Sequence, residues 1–170
     1  MIKITDEHVK DGKLDKEALA EFGADVVEIE GDEIIFKSDV KFERCDSLAS
    51  VSGATFNNDV EFSWCDSLAS LADATFNNDV KFFYCNSLVS VSGATFKKRV
   101  LFRECIFLAS VADVIFNGDV EFSWSDSLAS VSGAVFNGDV VFWRCDSLTS
   151  VSGATFKKGF EAYHCPNLKQ

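Results

Sequence analysis

The chain has 170 residues, 47% of them apolar, with 17 phenylalanines and one proline, Pro166. That is long enough for one domain with a continuous core and too apolar for disorder. A formal net charge of −11 argues against direct contact with nucleic acid or an anionic membrane surface and leaves room for a basic protein partner.

Met1 to His8 carry no apolar run behind a basic stretch, and no segment approaches the ~18 apolar residues of a membrane span, so a cytoplasmic location is expected. Residues 1–35 follow no repeat. Leu14, Ala18, Leu19 and Phe22 share one helical face, which predicts a helix over 14–22, and Gly23 stands where a helix C-terminal glycine belongs. Residues 26–30 and 33–36 predict two short strands joined at Gly31 and Asp32. The segment is expected to form an N-terminal α/β cap, because the end of a repeat array leaves apolar side chains and strand edge bare.

From residue 36 to residue 170 a twenty-residue unit recurs seven times. Stepping by twenty gives a Phe column (Phe36, Phe56, Phe76, Phe96, Phe116, Phe136, Phe156) and a Leu column from Leu48 to Leu168. A third column holds Cys45, Cys65, Cys85, Cys105, Ser125, Cys145 and Cys165. A fixed period of this length predicts a β-rich solenoid of about seven 20-residue rungs, forming one cooperative domain with the cap. Within a rung the apolar positions are Val40, Phe42, Cys45, Leu48, Val51, Ala54 and Phe56. A step of two marks a strand with one buried face, and steps of three mark an extended, turning segment. Asn57, Asn58 and Asp59, like Asn117, Gly118 and Asp119, read as the turn into the next strand.

Rungs ~4.8 Å apart would bring successive cysteines within disulfide range, and the pairs Cys45–Cys65, Cys85–Cys105 and Cys145–Cys165 would skip Ser125. Parallel neighbours hold their Cβ atoms farther apart than the ~3.8 Å of a relaxed bridge, so a column of reduced, buried thiols is the favoured expectation.

A pentapeptide register fails at Lys41 and Asp46, and a hexapeptide register fails on the period. The order Val40, Phe42, Cys45, Leu48, Val51 instead resembles the core of leucine-rich repeats, most closely the cysteine-containing and bacterial short-period types. The resemblance covers residues 40–168; Phe replaces most of the leucines, and the second half of the rung is short. It implies a leucine-rich-repeat-like solenoid whose strand face binds partners, with a less regular β-solenoid as the alternative; it implies no particular function.

Outward positions vary from rung to rung, and the three tryptophans and both tyrosines fall among them. Trp64, Phe83, Tyr84, Trp124, Trp143, Arg144 and Tyr163 flank the strands, and Trp, Tyr and Arg dominate binding hot spots. One rung departs from the pattern: Leu101, Arg103, Ile106 and Phe107 replace mainly polar residues near Arg99 and would form a patch if exposed. These eleven residues are the candidate partner-binding set, against the alternative of aromatic stacking between rungs and local repacking. Asp39, Asp59, Asp79, Asp119 and Asp139 form an acidic ribbon, with a second column at Asp46, Asp66, Asp126 and Asp146. Turn chemistry accounts for such aspartates; the competing reading is imitation of a phosphate backbone.

No nucleophile–base pair, glycine-rich phosphate loop or metal-ligand cluster is visible, so neither catalysis, metal nor cofactor is expected. Three functions are carried forward. The first is a non-catalytic protein-binding module, inhibitory in one form. The second is an acidic nucleic-acid mimic of the phage anti-defence kind, occupying the basic groove of a nucleic-acid-binding enzyme. The third is a structural repeat without a dedicated partner. A homodimer is compatible with the first.

Overall fold

The computed structural model describes residues 1–169. The cap begins with β1 (Ile2–Ile4), β2 (Val9–Lys10), β3 (Lys13–Leu14), α1 (Lys16–Ala20), β4 (Val27–Glu30) and β5 (Glu33–Phe36). The repeats then alternate a four-residue front strand with a two-residue back strand: β6 (Val40–Glu43), β7 (Thr55–Phe56), β8 (Val60–Ser63), β9 (Thr75–Phe76), β10 (Val80–Phe83) and β11 (Thr95–Phe96). The pattern continues through β12 (Val100–Arg103), β13 (Ile115–Phe116), β14 (Val120–Ser123), β15 (Val135–Phe136), β16 (Val140–Trp143), β17 (Thr155–Phe156) and β18 (Phe160–Tyr163).

Each front strand pairs in parallel with the one twenty residues on, so Val40, Val60, Val80, Val100, Val120, Val140 and Phe160 form one in-register row. The front and back sheets hold eight strands each. The chain is therefore a parallel β-solenoid of six full turns closed by a seventh front strand. Between the sheets lie two phenylalanine stacks, with neighbours such as Phe62 and Phe82 at 5.0 Å and 3° and Phe56 and Phe76 at 5.0 Å and 3°. The stacks meet edge-on, as Phe76 and Phe82 do at 6.1 Å and 80°, so core rings stack within their column and most also T-pack across to the other.

The cysteines form a third internal ladder. From Cys65 on, each thiol donates to the carbonyl of a phenylalanine in the preceding rung, Cys85 to Phe62 at 3.8 Å, Cys105 to Phe82 at 3.6 Å and Cys145 to Phe122 at 3.7 Å, while Cys45 donates to Ile4 of β1 at 3.3 Å. All six are free. Burial pushes the Cys145 thiol up to about 12, which keeps it protonated and non-nucleophilic. Ser125 interrupts the ladder, and its buried hydroxyl has no partner among the described residues.

In the cap, the helix is shorter than the apolar spacing predicts. The Asp15 side chain accepts from Glu17 N at 2.9 Å and starts α1 there. Leu14 is thereby left outside, in an antiparallel pair with Val9. Gly23, at φ 81°, ends the turn that follows. The two expected strands are β4 and β5, an antiparallel hairpin. β5 also pairs in parallel with β7, so cap and repeats merge within one strand. β1 was not expected; it joins the front sheet beside β6.

At the opposite end the last described strand is bare. Every residue of β18 is exposed, and Ala162 stands where earlier rungs place a stacked phenylalanine. Phe160 leans across the gap, 4.8 Å from Phe156 and 6.0 Å from Phe142, but remains 40% exposed.

Candidate functional site

Front strands alternate inward Val and Phe with outward residues, so positions equivalent to 41 and 43 face away from the core. At the next position the chain turns a corner through a left-handed residue. Arg44, Trp64, Tyr84, Glu104, Trp124, Arg144 and His164 have φ between 52° and 59°. From Arg44 to Arg144 their amides still donate into the front ladder, as Trp64 N does to Phe83 O at 3.0 Å. The left-handed region costs an L-residue ~1–2 kcal/mol and is cheapest for Gly or Asn. The same rung has a second left-handed column, and there the sequence uses Gly53, Asp73, Gly93, Asp113, Gly133 and Gly153. The corner column instead holds large aromatic and charged side chains throughout.

Five of these side chains, with Arg103, Trp143 and Tyr163 of the strands, touch in succession. Trp64, 46% exposed, stacks on Tyr84 at 4.0 Å and 6°. The Tyr84 hydroxyl donates to Glu104 at 2.8 Å, which raises the phenol pKa. Glu104 lies 4.0 Å from Arg103, and the Arg103 guanidinium sits 5.3 Å from the centre of the Trp124 ring, within cation–π range. Trp124 tilts against Trp143 at 6.5 Å, and Trp143 meets Tyr163 at 5.5 Å and His164 at 5.1 Å. The result is one unbroken strip from rung to rung, oriented along the solenoid axis. Shallow cavities of about 330 Å³ and 600 Å³ lie beside it, one lined by Arg44, Asp46, Trp64 and Asp66, the other by Trp124, Asp126, Arg144 and Asp146 among others.

Of the expected partner-binding residues, the strip gathers Trp64, Tyr84, Arg103, Trp124, Trp143 and Tyr163. Arg144 borders it, and Phe83 and Leu101 are half-buried on the strand face itself. Ile106 and Phe107, 39% and 55% exposed, fall beyond the corner, in the turn after Cys105. Leu101 is thus on a different side of the rung from them. The acidic ribbon serves the turns: Asp79 accepts from Arg99 N at 3.1 Å, Asp119 from Asp139 N at 2.8 Å, and Asp59 from Asn78 at 2.6 Å. Lys158 lies 3.5 Å from Asp139 and 3.9 Å from Asp119. Asp39 is half-buried at the corresponding position.

Sequence reading missed His164 as a strip member and missed a longer period. Val60, Glu61, Phe62, Ser63 and Trp64 recur unchanged as Val120, Glu121, Phe122, Ser123 and Trp124, three rungs later. Both serines are buried and donate to the glutamate two residues back, at 2.9 Å and 2.7 Å. Lys37, Lys97 and Lys157 keep the same sixty-residue step in the turns.

Fold and face together define a parallel β-solenoid of twenty-residue turns bearing an axial strip of aromatic and charged side chains. No known protein family, curated protein or solved structure matches the chain. Among the described residues no helix is long and apolar enough to cross a membrane.

Proposed function

We propose that the chain is a non-catalytic protein-binding repeat module that engages its partner through the front-strand face and the corner strip. The observation that carries this reading is the contrast between the two left-handed columns. Where only backbone geometry matters, the rung uses Gly and Asp; at the corner it bears the cost of Trp, Tyr, Arg, Glu and His. A repeated backbone penalty is retained where the side chains have a task. Trp, Tyr and Arg are the hot-spot types, and their contacts along the strip hold them ready for a partner at low entropic cost. The finer leucine-rich-repeat assignment is supported by the cysteine ladder, which binds rung to rung through backbone carbonyls. Free thiols in every rung but one accord with a cytoplasmic setting.

The acidic-mimic reading draws less support, since three ribbon carboxylates are engaged with turn amides or a neighbouring asparagine and two lie near Lys158. Affinity capture from nuclease-treated host lysate separates the readings. We expect a stoichiometric partner held by the wild type and lost by the Trp64→Ala, Trp124→Ala, Trp143→Ala triple variant. A nucleic-acid-handling partner retained by that variant, but released by moderate salt and by Asp→Asn changes at Asp59, Asp79, Asp119 and Asp139, would establish mimicry instead.

A further inference from the structure

We propose that the strand face contains a side-chain pocket, a notch floored by Ser123, and that it receives an aliphatic side chain of the partner with a carboxylate beside it. The proposal rests on the strand face being a partner surface.

The outward column Glu43, Ser63, Phe83, Arg103, Ser123, Trp143, Tyr163 is bulky except at its two serines, which are 6% and 3% exposed. With rungs ~4.8 Å apart, a serine between two large neighbours leaves a recess. The recesses have different walls. Lys41 and Lys81 flank Ser63, whereas Leu101 and Val141 flank Ser123. At Ser123 a cavity of about 270 Å³ is bounded by Leu101, Val141 and Trp143, with Arg103 and Trp124 at its rim and the Glu121 carboxylate, already engaged by Arg99 and Ser123, in its lining. That is below the ~300–1,000 Å³ of small-molecule sites and suits one side chain.

The floor makes no polar demand. The Ser123 hydroxyl donates to Glu121 at 2.7 Å, and Glu121 is held by Arg99 at 3.3 Å, so an apolar group leaves nothing unpaired there. The rim carries a cation whose ion-pair contact, with Glu104, is long. Arg103 is half-exposed, its guanidinium lies over Trp124, and its contact with Glu104 is at 4.0 Å. A carboxylate entering with the aliphatic group finds it pre-placed. The Trp143 indole N–H is covered and has no acceptor among the described residues, so packing alone holds that ring. Its resonance reports any occupant.

The test is a titration of the full chain with N-acetyl-leucine, followed through the three indole ¹H–¹⁵N signals. We expect saturable movement of the Trp143 signal in the millimolar range, with the Trp64 signal still. N-acetyl-leucinamide, without the carboxylate, binds several-fold more weakly, and N-acetyl-aspartate does not bind. Ser123→Phe fills the notch and abolishes the response, as does Leu101→Lys, which copies the wall beside Ser63; Ser63→Phe leaves it intact. No saturable movement, or equal loss with Ser63→Phe, overturns the pocket. So does a Trp143 signal that moves on dilution without probe, which would assign the notch to a second copy of the chain. A silent titration with a Trp-dependent partner still captured removes the pocket and keeps the partner face; the converse pair of results removes the partner reading, and with it the partner side chain as occupant, and keeps only the notch's chemistry.

Discussion

Ser125→Cys should stabilise the protein. Ser125 occupies the cysteine column, fully buried, with its hydroxyl unpartnered. In the rungs on either side, Cys105 and Cys145 reach a phenylalanine carbonyl at 3.6 and 3.7 Å. The shorter C–O bond of serine places its hydroxyl short of the equivalent Phe102 carbonyl. A buried unsatisfied hydroxyl costs ~1–3 kcal/mol. A thiol of nearly the same shape removes most of that cost, because it behaves as a small apolar group with a weak donor. We therefore expect a gain of ~1–2 kcal/mol, or a rise in Tm of ~2–4 °C per kcal/mol for a domain of this size. Cys105→Ser should lose a similar amount, and the double change should roughly restore wild-type stability. Urea unfolding under reducing conditions with unchanged m measures all three. A neutral or destabilising Ser125→Cys would refute the idea that the ladder, rather than overall packing, sets the preference for sulfur.

Phe82→Ala should cost ~3–5 kcal/mol, since the ring stacks on both neighbours and meets Phe76 edge-on, whereas Phe156→Ala, half-buried in the last turn, should cost less than half as much in the same urea assay. Trp64→Asn should abolish partner capture yet change stability by less than ~1 kcal/mol, because relief at the left-handed corner offsets the lost stack on Tyr84. Stability should fall as pH rises from ~9 towards 12: the unfolded Cys145 thiol ionises near 8.5 while the folded one holds its proton to about 12, so the folded state binds more protons there. The slope of that fall, read from urea midpoints, should shrink in Cys145→Ala. Hydrogen exchange should show protection declining towards β18, all of whose residues are exposed, relative to β6, which β1 pairs with.

Much of this architecture is legible in the chain because each column repeats its chemistry at a constant step. Phe, Leu and Cys recur every twenty residues, and one register satisfies all three. The cap was harder to read. Ile2–Ile4 pairs with Val40–Phe42 but lies off the twenty-residue step, so no periodicity announces β1. Asp15 sets where the helix starts by capping its N-terminus, a local hydrogen bond that apolar spacing cannot reveal. The candidate site divides in the same way. Aromatic and arginine residues in outward columns were visible as types, but their left-handed backbone was not, since Trp and Arg carry no signal for positive φ. The Ser123 notch needed three rungs to be placed side by side before a small residue between two large ones became a cavity.

The sixty-residue recurrence bears on how such a chain can change length. A new rung inserted at an Asn/Lys turn between two cysteine-bearing rungs would find the same Phe, Leu and Cys columns above and below, so core and ladders would close over it without adjustment. Only the outward residues would be displaced along the axis, by one step for each rung added. Size and surface pattern are thus open to modular duplication while the fold is conserved, and the distance between Trp64 and Trp124 becomes a ruler set by the number of rungs between them.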